Sequence, residues 1–133
     1  MSLTLSDIRD FSASVVPVSG TPVYMAKLPD GQDETVCVYH SKHSHSYKTA
    51  IGGHELKSFD ETYCTWLIHW NKSPRESENF AKQLFEVLRG ITDVEINNQF
   101  IKFILPLYEL QDIGCDDAGV YEYVIEAVVI SKK

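Results

Sequence analysis

The chain has 133 residues, 44% apolar and 23% charged, which suits one soluble domain with a core of its own. Its net charge of −7, from 19 acidic against 12 basic residues with no basic run, argues against sequence-specific nucleic-acid binding. No apolar stretch approaches the ~20 residues that span a bilayer, and MSLTLSDIRDF lacks the basic start and apolar core of a secretory signal, so the expected compartment is the cytosol.

LTLSDIRDFSASVV predicts a first helix, with Ser6 or Asp7 as cap and Ile8, Phe11 and Val15 on one face. It ends before Pro17, and SGTP follows as a loop. PVYMAKL reads as a strand, Pro29-Asp30-Gly31 as a turn, and TVCVYH (35–40) as a second strand. Residues 41–58 show neither strand nor helix period, and a loop that long in a compact domain is functional or partly disordered. ETYCTWLIHW returns to strand, with Cys64, Trp66, Ile68 and Trp70 on one face and Tyr63, Thr65, Leu67 and His69 on the other.

The segment 72–90 carries the strongest helix signal. Ser73 fits the N-cap, Pro74 the first helical position, and Glu76 the capping-box spacing. Phe80, Leu84, Phe85, Val87 and Leu88 form its apolar stripe, Arg89 suits the negative end, and Gly90 is the natural C′ stop. Trp66 and Trp70 are expected to pack under that stripe. Asn97-Asn98 predicts a tight hairpin, because asparagine tolerates positive φ. GCDDAG predicts another turn before VYEYVIEAVVI, a final strand with Tyr121, Tyr123, Ile125, Ala127 and Val129 on one face. Glu122 and Glu126 punctuate the other face, which is therefore expected to reach solvent or a polar partner. The order predicts a single α+β domain over 1–133: one mostly antiparallel sheet with two helices packed on one face.

Catalytic signals are sparse. His40, His43 and His45 cluster within six positions, with His54, Glu55, Asp60 and Glu61 as conceivable further ligands. A structural zinc needs four ligands and a catalytic one three plus water. His40 belongs to the strand, so His43 and His45 remain as a pair two ligands short, in a Ser/Lys-rich loop that reads as solvated. Cys37, Cys64 and Cys115 are odd in number and without CxxC spacing, which argues against a disulfide framework and a thiolate zinc site. Cys64 and His69 lie five apart on one strand and point to opposite faces, so they form no local dyad. Asp116-Asp117 reads as a solvated hairpin tip. No G-x-S-x-G elbow, Walker A loop or GxGxxG is present, so neither an enzyme nor a cofactor is expected. The acidic surface, polar strand faces and seven tyrosines point to assembly instead.

Three stretches carry a family resemblance. VYMAKLPDGQDETVCVY resembles the strand, acidic turn and strand near the N-terminus of phage minor capsid and tail terminator proteins. The helix Pro74–Arg89, closing in LRG, is similar to their central helix, and LPLYELQDIGCDDAGVYEYVIEAVVI resembles their C-terminal hairpin. Their order carries the match across most of the chain after Thr21. The resemblance implies a structural protein of the virion, assembled in the bacterial host cytoplasm. It implies a ring, of hexameric type, that caps the tail tube and joins it to the head connector; a head-completion or neck protein is the neighbouring alternative, and a small metal-binding enzyme using the histidine loop the distant one. The loop 41–58 departs from the family in its length and histidine content. Candidate assembly residues are His43, His45 and Tyr47 in that loop, Asp116 and Asp117 in the turn, and Glu122 and Glu126 on the last strand.

Overall fold

The computed structural model describes residues 3–29, 31–41 and 59–132. Helix α1 spans Leu5–Val15 and α2 spans Pro74–Arg89. The strands are β1 (Val23–Met25), β2 (Thr35–His40), β3 (Phe59–His69), β4 (Thr92–Ile96), β5 (Gln99–Pro106), β6 (Gln111–Cys115) and β7 (Tyr121–Lys132).

The α1 cap is Thr4, ahead of the residues the sequence suggested. Its hydroxyl accepts from Asp7 N–H and Asp7 accepts from Thr4 N–H, a reciprocal capping box. Ser6 and Asp7 therefore lie inside the first turn. Helix α2 begins where expected, with Ser73 Oγ accepting from Glu76 N–H at 3.3 Å and Pro74 in the first turn, but the capping box is not closed, because the Ser73 N–H donates to Asn71 Oδ1 and not to Glu76. Its buried residues are Ser77, Phe80, Ala81, Leu84, Phe85 and Leu88, an unbroken i, i+3, i+4 stripe from which Val87 falls out. Gly90 caps it with φ −89°, so this helix stops without a left-handed residue.

The strand order is β1-β2-β3-β7-β5-β4, with β6 also on β7. Only the β1–β2 pairing is parallel. Strands β5 and β6 share one edge of β7: β6 pairs its first half and β5 its second. Both carry register shifts, between Ile101 and Phe103 and between Asp112 and Gly114, leaving Lys102 and Ile113 as the extra residues. Such bulges bend a strand and deepen its twist, and the sheet curls. As a result α1 touches β1 and β2 at one end of the order and β4 at the other, while α2 packs on β5 and β7. The sheet is thus mixed and curled, mostly antiparallel as expected; the simpler expectation of two helices packed on one face is not confirmed.

The core joins both helices to one strand face: Ile8 and Phe11 of α1, Val36 and Val38, Cys64, Trp66 and Ile68, Phe80 and Leu84 of α2, and Ile125, Ala127 and Val129. Each fully buried large apolar side chain stabilises the fold by about 1.5–3 kcal/mol. The two tryptophans divide between the helices. Trp70 stacks on Phe80 of α2, ring centroids 3.7 Å apart and planes at 10°. Trp66 donates to Ser12 Oγ of α1, so it does not belong to the α2 stripe alone. On β7 the expected polar face is largely covered: Glu126 is buried, as are Val128 and Ile130.

Candidate functional site

Chemistry-bearing side chains converge where β2 begins, β3 ends, α2 begins and β7 begins. Register brings this about, because β3 and β7 pair antiparallel and set His69 opposite Glu122. His69 Nδ1 lies 2.9 Å from Glu122 Oε2, and Nε2 lies 3.5 Å from Asp33 and 3.9 Å from Asp116. An imidazole with three carboxylates around it is held in orientation from both ring nitrogens. Asp116 is further fixed by its own turn, where Oδ1 accepts from the N–H groups of Ala118 and Val120 at 2.9 Å each. These backbone donors, the Val120 one foremost, hold its carboxyl below the usual range, with His69 adding to the effect.

Asn71 ties the same end together. Its carbonyl accepts from Tyr121 N–H, its Oδ1 accepts from Ser73 N–H, and its Nδ2 donates to Glu34 Oε2 at 3.1 Å. Glu34 adopts φ +57°, unusual for a non-glycine residue, and donates its N–H to Trp70 O at 2.6 Å. Beside it opens a groove of about 550 Å³ between the 18–22 segment and the first half of α2. Asp33, Glu34 and Glu76 stand along it, Asn79 and Gln83 add polar groups, and Trp70 and Phe80 line it below.

Of the residues singled out from sequence, His43, His45 and Tyr47 lie outside the described residues, as does His54. Asp116, Asp117 and Glu122 sit at this end of the sheet; Asp117 is exposed, while Asp116 and Glu122 are half-buried and engaged by the turn and by His69. Glu126 lies further along β7, within 3.4 Å of Thr65 Oγ1 and Gln111 Nε2. Sequence reasoning missed His69 as a hub, although it placed His69 and Glu122 correctly on outward faces of their strands. Only the strand pairing, which no local pattern encodes, makes them neighbours.

Among the described residues no group of three His, Cys, Asp or Glu side chains is arranged to hold a metal ion, and no helix is long and apolar enough to cross a membrane. Cys64 is buried in the core, and burial pushes its thiol up to about 12. Cys37 is likewise buried and raised. Neither has the thiolate character of a nucleophile. Exposed apolar side chains also stand away from this site. Phe103 and Leu105 stand on the outer face of β5, Tyr108 follows it, and Ile113 is the bulged residue of β6.

Two comparisons bear on this arrangement. The family model described as "Bacteriophage tail terminator protein" matches residues 4–132. No curated protein matches the chain.

Proposed function

This chain belongs to the bacteriophage tail terminator protein family, and from that premise we propose that it forms a ring that caps the tail tube and joins it to the head connector. The match over residues 4–132 carries the reading. It is a structural family and not an enzyme class, and the buried thiols and hydrogen-bonded acids are consistent with that. Phe103, Leu105, Tyr108 and Ile113, all near or above 40% exposed on neighbouring segments, supply an apolar surface for contact between subunits. A ring needs heterologous contacts that close after a fixed rotation, and a curled sheet offers two differently shaped sides for them. Asp117 is exposed and suits a polar rim contact; Asp116, Glu122 and Glu126 are committed to neighbours within the subunit and would act by shaping that rim. His43, His45 and Tyr47, outside the described residues, stay among the proposed assembly residues.

The test is direct. The purified chain is added to polymerising tail-tube protein of the same phage, and tube length is measured by electron microscopy alongside light scattering of the chain alone. Capped tubes and a closed oligomer are expected, and the pair Phe103→Asp with Leu105→Asp removes both. Tubes of unchanged length with the wild-type chain overturn the reading.

A further inference from the structure

We propose that the groove between the 18–22 segment and the first half of α2 docks a lysine- or arginine-bearing segment of a neighbouring tail protein. The partner's identity as a tail protein rests on the reading above; its chemistry rests on the groove. The groove holds about 550 Å³, within the range of sites that seat a few side chains. Asp33, Glu34 and Glu76 contribute three carboxylates to its lining, and no lysine, arginine or histidine stands among the described lining residues. Trp70 and Phe80 supply an apolar bed, and Val18 is 47% exposed at its edge. A basic side chain matches both features at once, laying its methylene stem on the apolar bed while its charged head meets the carboxylates.

The acidic wall is preset. Glu34 holds its left-handed backbone through the short hydrogen bond to Trp70 O, and its carboxylate is oriented by Asn71. Strained backbone of that kind persists where the surroundings over-determine it. The segment arranged this way is the one that presents acids to the groove. With 19 acidic against 12 basic residues and no basic run, a second copy of this chain is a poorer match to the three carboxylates than a basic segment is.

The experiment uses the full chain, isotope-labelled, with the capped peptide Ac-Ala-Arg-Pro-Arg-Ala-NH2 as probe and the same peptide bearing Glu in place of Arg as control. The two tryptophans make an internal comparison: Trp70 lines the groove, and Trp66 is fully buried with its indole N–H held by Ser12. The expected result is a saturable shift of the Trp70 ring resonances with Trp66 unmoved. The double variant Asp33→Asn with Glu76→Gln weakens binding by about fivefold or more, and so does raising salt to about 0.5 M. An unchanged Trp66 resonance in the variant shows that it folds. No saturation at Trp70, equal shifts at both tryptophans, equal binding of the Glu peptide, or undiminished binding by the variant each overturns the proposal. So does self-association of the chain that the variant abolishes, which would assign the groove to a second copy. In the tube-capping assay, normal capping by the variant overturns the docking site and leaves the terminator reading intact. Failure of the wild-type chain to cap overturns that reading, while peptide binding still judges the groove.

Discussion

The indole N–H of Trp66 donates to Ser12 Oγ at 2.8 Å, and the Ser12 hydroxyl donates in turn to Ile8 O at 2.7 Å. All three residues are fully buried, so a single small hydroxyl satisfies the one polar atom of the largest core side chain and pins β3 to α1. Replacing Ser12 with Ala leaves that N–H unpaired in the interior. An unsatisfied buried donor costs about 1–3 kcal/mol. The double variant Ser12→Ala with Trp66→Phe is expected to recover part of the loss, because no orphaned donor remains. Urea unfolding of the three variants measures it, and additive losses would contradict the coupling.

Trp70 and Phe80 form the corresponding link between β3 and α2. Phe80→Ala is expected to cost about 3–5 kcal/mol, from lost burial and the cavity beneath the groove. A double-mutant cycle with Trp70→Leu should return a coupling of about 0.5–1.5 kcal/mol, the range for stacked aromatic pairs.

Asn97 Nδ2 donates to Asp7 at 3.0 Å and to Asp10 at 2.9 Å, fastening the β4–β5 hairpin to α1. Both carboxyls sit below their ordinary value: Asp7 chiefly through Thr4 N–H and then Asn97, Asp10 chiefly through Asn97. A folded-state value below the unfolded one means that the stabilisation is present above the unfolded value of about 3.9 and lost as pH falls through the folded one. Thermal melts are therefore expected to drop between about pH 5 and 2. Asn97→Gly keeps the positive φ of 48° that the turn requires and deletes only the amide. It should lower the melting temperature at neutral pH and flatten the acid-side slope; an unchanged slope would show that the Asn97 bonds do not matter.

The cysteines should differ sharply in reactivity. Cys115 is exposed, whereas Cys37 and Cys64 are buried with raised thiols. Mass spectrometry after brief iodoacetamide treatment at pH 8 is expected to find label on Cys115 alone, with Cys37 and Cys64 modified only after unfolding. Early labelling of Cys64 would mean that the core opens readily.

What was legible in the chain was local. Thr35–His40 and Pro74–Arg89 announced themselves through β-branched composition and a proline-led cap, and Asn97-Asn98 adopts the two positive φ values that its residue types favour. The α1 start was misplaced because Thr4, Ser6 and Asp7 can all cap, and only the reciprocal bond of Thr4 with Asp7 decides among them. The curl was not legible: it arises at Lys102 and Ile113, residues with no turn signature of their own. Nor was the His69 cluster, whose four members come from three separated stretches of chain and meet only through the β2–β3 and β3–β7 registers.

The curl also sets an order of events. Helix α1 precedes every strand of the sheet in the sequence, yet its Asp7 is bonded to a residue 90 positions later. Long-range pairing of that kind slows folding, since loop closure must precede its reward. Until residue 97 has emerged, the bonds from Asn97 to Asp7 and Asp10 and the packing of α1 on β4 cannot form. A nascent chain arrested before residue 97 should therefore be more protease-sensitive in helix α1 than the full chain.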